Sequence, residues 1–270
     1  MSWEKLGLVL DVVGTAGWIQ SHAWVPTPDK LEGDLYKVYF AGRNADNLSQ
    51  IGHFIIDITV PSKILEVSQK PDLELGPLGT FDDSAVVPSW IVEDQGIRYM
   101  YYIGWSQGKR VPYYSNIGLA ISEDGGATFS KYSKGPLIDR NDIDPYMTSS
   151  PCVRIENGIW RLWYLSNTQW TPGSDGPMPR YHIKYAESTD GINWRREGTV
   201  CIDFKNDEEY AIARPCVIHD DGKYKMWYSY RGDSYRIGYA ESNDGIEWER
   251  QDQRVGIDVS PSGWDSEMLE

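Results

Sequence analysis

Four short segments that each centre on a proline recur along the chain at a nearly constant spacing. The prolines are Pro26, Pro88, Pro151 and Pro215, and successive members of this series lie 62, 63 and 64 residues apart. A fixed period of this length indicates a fold built from repeated supersecondary units that stack on one another. The repeat therefore constrains the architecture more strongly than any single motif in the sequence.

Two of the copies, residues 150–164 and 214–228, match position by position at an offset of 64 residues. In both copies a short apolar strand follows the proline, and an Asn-Gly or Asp-Gly pair connects it to a strand that alternates large aromatic and charged residues. Such pairs between strands are typical of tight β-hairpins. A third strand ends in Ser-x-Asp-Gly, and no stretch of ten residues keeps a helical period. Three or four antiparallel strands per period are typical of a blade, so we predict an all-β propeller.

The period also predicts how the chain is divided. Residues 258–270 resemble the start of another repeat, so we expect one five-bladed propeller domain over residues 1–270 with a truncated fifth blade and residues 6–13 as its closing strand. A four-bladed ring with a short tail is the alternative. The four complete blades are predicted at approximately residues 18–75, 82–140, 146–200 and 210–255.

Composition excludes several classes of partner. The chain has 40 acidic and 26 basic residues, a formal charge of −14, which argues against nucleic acid or an anionic membrane surface as a partner. No apolar stretch approaches the roughly 18–20 residues of a membrane span, and the N-terminus has no signal-peptide pattern. Three cysteines without paired spacing fit a reducing compartment, so we expect a cytoplasmic protein with no metal and no cofactor. The excess of Trp and Tyr over Phe suits pockets that stack on sugars, but also ordinary strand packing.

The segments that open the repeats resemble a known superfamily. Residues 22–26, 82–88, 149–153 and 213–217 are similar to the blade starts of the five-bladed arabinanase, levansucrase and invertase propellers, which include glycoside hydrolase families 43 and 32. The likeness covers nearly the whole chain and is strongest in residues 210–215 and 262–268. It is closest to family 43/32-like proteins of bacterial polysaccharide gene clusters. The resemblance implies a saccharide or a sugar-containing small molecule as the ligand.

The resemblance also implies a set of acidic residues at the mouth of the channel, one from each of three blades. Glycosidic cleavage needs one protonated carboxyl to donate to the leaving oxygen and one ionised carboxyl to act as nucleophile or base. We expect Glu209 or Glu267 as the proton donor and Asp83 as the ionised partner. The blade starts offer acids at Asp82 and Asp83, Asp142 and Asp144, Glu208 and Glu209, and Asp265 and Glu267.

The first blade departs from the hydrolase pattern, because His22 stands where those enzymes place an aspartate. Arg43 and Arg214 add positive charge that suits a phosphate or carboxylate on the ligand. Three tryptophans near loops are candidates for sugar stacking. The full set of expected substrate-binding residues is His22, Trp24, Arg43, Asp82, Trp105, Ser150, Trp170, His182 and Arg214.

Three functions remain open at this point. The first is a carbohydrate-active, glycoside hydrolase-like enzyme that acts on a glycosidic bond of a small or activated glycoside by carboxylate acid–base catalysis. The second is a non-catalytic propeller that binds a glycan or a protein partner, which His22 and the incomplete fifth blade both favour. The third is a sugar transferase or phosphorylase that uses the same pocket.

Overall fold

The computed structural model describes residues 3–174 and 176–269, and they form strands almost exclusively. A 3₁₀-helix at Asp252–Arg254 is the one helical element among them. The chain divides into two compact units. The N-terminal unit comprises residues 5–108 and 113–137, and the C-terminal unit comprises residues 3–4, 109–112, 138–174 and 176–269. No helix in the described part of the chain is long and apolar enough to cross a membrane.

The N-terminal unit contains one eight-stranded sheet made of two four-stranded modules. Within each module neighbouring strands are antiparallel, and the modules meet at a single parallel bridge between Ser49 and Ala85. Fully buried aromatic and aliphatic side chains such as Tyr39, Tyr102 and Met100 form its core. The strands are β1 (Ser21–Lys30), β2 (Leu35–Arg43), β3 (Ser49–Asp57), β4 (Ile64–Val67), β5 (Ala85–Asp94), β6 (Ile97–Gln107), β7 (Tyr113–Ser122) and β8 (Ser130–Lys131).

The C-terminal unit repeats this arrangement. Its two modules are joined by one parallel bridge between Tyr181 and Ala211, and Trp163 and Tyr164 are fully buried within it. The strands are β9 (Thr148–Glu156), β10 (Ile159–Thr171), β11 (Met178–Ser188), β12 (Arg195–Ile202), β13 (Ala211–Asp220), β14 (Lys223–Arg231), β15 (Tyr235–Ser242) and β16 (Glu249–Arg250).

The turns follow the local sequence. At the predicted hairpins, Asn157 and Asp221 have φ of 53°, and the glycines after them have φ of 77° and 71°. Two successive residues with positive φ are the geometry of the tight turn that matches strand twist, and Asn, Asp and Gly tolerate it best. In the Ser-x-Asp-Gly turns the aspartate shapes the backbone: Asp244 Oδ1 accepts hydrogen bonds from the main-chain N–H groups of Ile246 (2.8 Å) and Glu247 (2.9 Å).

The described residues contain four modules of four strands, whose first strands begin at residues 21, 85, 148 and 211. The blade boundaries and the blade count stay predictions. The described part of residues 258–270 contains no strand, and the fifth blade therefore stays a prediction. The expectation of a closing strand in residues 6–13 is wrong, because that segment has no ladder pairing and ends in turns.

Candidate functional site

An aromatic pocket lies in the N-terminal unit, where the first and second modules adjoin. Trp24 and Trp105 meet edge to face with ring centroids 5.6 Å apart, and Tyr113 stacks on Trp105 at 4.8 Å with 7° between the planes. The cavity they line has a volume of about 180 Å³. Pockets for drug-sized ligands are larger, about 300–1,000 Å³, so this one suits a group as small as one sugar ring.

Two hydrogen-bond donors at this pocket have no partner. Nε1 of Trp24 and Nε1 of Trp105 are both buried, and neither donates a hydrogen bond within the described part of the protein. A buried donor without an acceptor costs about 1–3 kcal/mol, and buried indoles usually find a partner. A ring with hydroxyl substituents would stack on the aromatic faces, and its hydroxyl groups would accept hydrogen bonds from the unpaired N–H groups.

Positive charge borders the same pocket. The guanidinium of Arg43 lies 5.6 Å from the centroid of the Trp24 ring, and its Nη1 donates to Oδ1 of Asn47 at 3.0 Å. Among the described residues Arg43 forms no ion pair, so its charge is not neutralised. Partial burial, and secondarily the positive charge of Arg43, lower the pKa of the His22 imidazole. The guanidinium of Arg43 therefore places a positive charge, without an ion-pair partner among the described residues, at this pocket.

The start of β1 has an irregular backbone that places Trp24. The pairing of β1 with β2 shifts register on both sides of Trp24. His22 and Val25 have φ of 64° and 55°. A β-branched residue at positive φ is a steric outlier, and such strain, of order 1–3 kcal/mol per residue, clusters at functional sites. Bulges of this kind change the direction in which a side chain points, here the indole of Trp24.

The same irregularity recurs in the C-terminal unit. Ser150 and Arg214 each precede a repeat proline, have φ of 46° and 53°, and lie where β9 and β13 shift register against their partner strands. Ser150 is buried and Arg214 is half-buried. Both expected binding residues therefore sit on strained backbone, but they belong to the C-terminal unit and not to the aromatic pocket.

Asp83 is adjacent to the aromatic pocket. Its Oδ1 accepts a hydrogen bond from Oγ of Ser84 (2.7 Å), a residue that lines the cavity, and its Oδ2 accepts from the main-chain N–H of Gly79 (2.9 Å). Asp83 is half-buried and forms no ion pair with any described basic residue. It is therefore a carboxyl group that is positioned by hydrogen bonds but not neutralised by a cation.

Asp82 and Glu209 have a different environment, because each is a buried partner of a basic side chain. Asp82 Oδ2 accepts from Lys131 Nζ at 2.6 Å and from the Tyr102 hydroxyl at 2.9 Å. Glu209 accepts two hydrogen bonds from Arg250, at 2.8 and 3.0 Å. Both side chains therefore contact a basic side chain of their own module.

The third module shows that these pairs are part of the repeat. Asp144, which is fully buried at the same position, accepts from Arg196 at 2.9 Å and from Lys184 at 3.1 Å. In three modules, a carboxylate before the first strand thus meets a cation on the last strand. Because the pair recurs, the acids at these positions are explained by their contribution to the packing of each module. This favours a structural role for Asp82 and Glu209.

Glu267 is exposed, and its main-chain carbonyl accepts a hydrogen bond from Arg236 Nη1 at 3.1 Å. The neighbouring Asp265 is the buried acid of this segment, and its Oδ2 accepts from the Ser260 hydroxyl at 2.8 Å. Asp83 belongs to the N-terminal unit, whereas Glu209 and Glu267 belong to the C-terminal unit. The expectation that all three are catalytic stays a prediction.

The other two expected binding residues lie in the C-terminal unit. His182 is buried, its Nδ1 lies 3.1 Å from Oδ1 of Asp203, and its Nε2 is buried without a partner among the described residues. Burial lowers the pKa of His182, and Asp203 opposes that shift. Trp170 lines an open depression together with Arg110 and Pro172.

Tyr113 is a pocket residue that the sequence analysis missed. It pairs with Gln107 in the ladder between β6 and β7, two positions from the Trp105–Ser115 pair. The sequence contains one signal for it, because Tyr113 is an aromatic residue directly after the loop of residues 108–112. A predicted hairpin between β6 and β7 would have placed Tyr113 beside Trp105.

Comparison with known proteins gives both near relatives and distant structural likenesses. No family model matches the chain. The Mycobacterium tuberculosis proteins MT1551 and Rv1502, both called uncharacterized, are each 42% identical over 270 residues, which is 100% of this chain and 89% of the relative. A 1,2-beta-oligomannan phosphorylase of Thermoanaerobacter sp. (strain X514) is 27% identical over 207 residues, 76% of this chain and 64% of that protein.

Solved structures of glycosidases share the fold. A glycoside hydrolase superposes with a TM-score of 0.71 at 15% identity over 90% of this chain and 76% of that one. A thermostable family-43 glycoside hydrolase gives 0.62 at 18% identity, over 87% and 72%. These likenesses confirm the expected all-β propeller and its resemblance to the propeller glycosidases. The chain thus has a glycoside hydrolase-like propeller fold and belongs to the same family as MT1551 and Rv1502.

Proposed function

We propose that the protein is a carbohydrate-active enzyme that cleaves a glycosidic bond of a small or activated glycoside, and that the aromatic pocket binds one sugar ring. The observation that carries this proposal is the pair of buried indole N–H groups, on Trp24 and Trp105, that lack acceptors among the described residues at an aromatic cavity. Stacking on the ring faces and hydrogen bonds to sugar hydroxyls would use both properties of these side chains. A cytoplasmic location and a role in polysaccharide biosynthesis stay predictions.

Asp83 is the carboxyl group that we assign to the chemistry. It borders the pocket through Ser84 and has no basic partner among the described residues, whereas Glu209 is held in a bidentate pair with Arg250. In hydrolysis Asp83 would act as the ionised partner that activates water for attack at the anomeric carbon. The leaving oxygen then takes a proton from a second acid as the glycosidic C–O bond breaks.

A second candidate reaction is phosphorolysis. Two observations favour it: Arg43 borders the pocket without an ion pair to any described residue, and one relative at 27% identity is a phosphorylase. In this reaction a phosphate oxygen forms the new bond to the anomeric carbon while the bond to the leaving oxygen breaks. Asp83 would donate its proton to that oxygen, so a single carboxyl group suffices.

The test combines turnover with binding. Release of p-nitrophenol from a panel of p-nitrophenyl glycosides is measured with and without inorganic phosphate, for the wild type, Asp83→Asn and the control Glu123→Gln, an exposed acid of the same unit. We expect Asp83→Asn to lower kcat by about 10²–10⁴-fold while the control keeps wild-type turnover. Release that requires phosphate identifies phosphorolysis, and release without it identifies hydrolysis.

The same experiment can overturn the proposal. Turnover that persists unchanged in Asp83→Asn would remove that residue from the chemistry. No turnover in the wild type, together with saccharide binding that Trp105→Ala abolishes, would establish the non-catalytic binding propeller instead.

A further inference from the structure

Arg231 occupies the same place in the C-terminal unit that Trp105 occupies in the N-terminal unit. Trp105 pairs in the ladder with Ala85, the first residue of β5, and Arg231 pairs with Ala211, the first residue of β13. In both cases the side-chain Nε nitrogen is buried and has no hydrogen-bond partner within the described residues. One register position of the repeat thus presents an unsatisfied donor in both units.

The guanidinium of Arg231 is held in place by aromatic rings. It lies 5.5 Å from the ring centroid of Tyr210 and 5.2 Å from that of Tyr235, and the Tyr235 hydroxyl contacts the Tyr181 hydroxyl at 2.6 Å. Cation–π contacts of this kind fix the orientation of an arginine, which reduces the entropy lost when it binds a ligand.

Arg231, like Arg43, has no counter-charge among the described residues. The chain carries 14 more acidic than basic residues, yet Arg231 forms no ion pair and no side-chain hydrogen bond within the described part of the protein. Arg161, which also stacks on a tyrosine in this unit, is by contrast paired with Glu156. An oriented, partly buried guanidinium without a counter-charge is suited to bind an anion.

We propose that Arg231, with Tyr210 and Tyr235, forms an oxyanion site that takes a phosphate group, either as inorganic phosphate or carried on a sugar. The Nε–H and an Nη–H on one edge of a guanidinium match two oxygens of a phosphate, so one ligand would satisfy the unpaired Nε and neutralise the charge. This inference rests on contacts within the C-terminal unit and does not require the activity assigned to the aromatic pocket.

Isothermal titration calorimetry with two probes tests the site. Inorganic phosphate and glucose 1-phosphate are each titrated into the wild type, Arg231→Gln, Arg231→Lys and the control Arg161→Gln. We expect Arg231→Gln to weaken phosphate-group binding at least about tenfold, which corresponds to about 1.4 kcal/mol. Arg231→Lys keeps the charge but loses the two parallel N–H donors of the guanidinium, so we expect an intermediate affinity. The control Arg161→Gln should bind phosphate as the wild type does.

Each outcome has a defined meaning. Binding of inorganic phosphate that depends on Arg231 supports a free phosphate ligand, and binding of glucose 1-phosphate alone supports a phosphate carried on a sugar. Equal affinity of the wild type and Arg231→Lys or Arg231→Gln, or no binding of either probe, overturns the proposal. Trp105→Ala separates the two proposals, because it should remove saccharide binding in the N-terminal unit and leave inorganic phosphate binding unchanged.

Discussion

At the scale of single residues, the role of an acidic side chain can be inferred only when its hydrogen-bond and ion-pair partners are known. Asp83 and Asp82 are neighbours in sequence, yet Asp82 is a buried partner of Lys131 and Asp83 has no cation among the described residues. The sequence shows acids at both positions but could not separate these two environments. The partner cation comes from the last strand of the module, 49 residues away for Asp82, and only the folded chain shows which acid it reaches.

Loss of the Glu209 carboxylate should affect stability before activity. Glu209→Gln removes one of the two carboxylates that pair with the mostly buried Arg250, and Asp252 remains at 2.9 Å. We therefore expect a loss of about 1.5–3 kcal/mol, the range for hydrogen bonds to a charged group. Urea unfolding measures the difference. The control Glu197→Gln removes an exposed pair with Arg195, which should cost at most about 1 kcal/mol. A variant with wild-type stability and no turnover would instead make Glu209 the proton donor.

His182 should make stability depend on pH near neutrality. Burial, and secondarily Lys184, lowers the pKa of folded His182 below its ordinary value of 6.5, although Asp203 and Asp144 oppose this. The unfolded chain then binds more protons, so the contribution of His182 to the free energy of unfolding is complete above pH 6.5 and declines as the pH falls through that value. The urea midpoint should fall between about pH 7.5 and about pH 5.5, and less steeply in His182→Gln. Parallel curves for the two proteins would contradict this assignment.

At the scale of elements, the hairpins were predictable because their cause is local. Asp221-Gly222 sets both the turn and the register of β13 against β14, and no distant residue is needed. The strained starts of β1, β9 and β13 were not predictable in the same way. A residue before proline ordinarily avoids helical backbone, and only the surrounding sheet holds Val25, Ser150 and Arg214 at positive φ.

Gly222→Ala tests the hairpin between β13 and β14. Gly222 has φ of 71° and open space where a Cβ would lie, so the new methyl group meets no atom but the residue must still adopt the left-handed conformation. We expect a loss of about 1–2 kcal/mol in the free energy of unfolding. Gly17→Ala, also in open space but without positive φ, should be close to neutral. Equal effects of the two substitutions would show that backbone conformation does not decide the cost.

At the scale of the whole molecule, the spacing of four prolines predicted the repeat, and the hairpin turns and strand patterns inside each period predicted the all-β architecture. Trp24, Arg43 and Trp105, which line the aromatic pocket, were candidate binding residues from the sequence, and their binding role stays a prediction. The positions of Tyr113 and Arg231 depend on strand register that the sequence pattern does not state.

The carboxylate–cation pairs inside the modules have a consequence for how such chains change during evolution. Asp82 with Lys131, Asp144 with Arg196 and Glu209 with Arg250 each begin and end within one module. A tandem duplication or deletion of a whole module therefore adds or removes both members of such a pair together. These pairs therefore need no compensating substitution when a module is gained or lost, in contrast to the pair of Arg98 with Asp29, which joins the second module to the first.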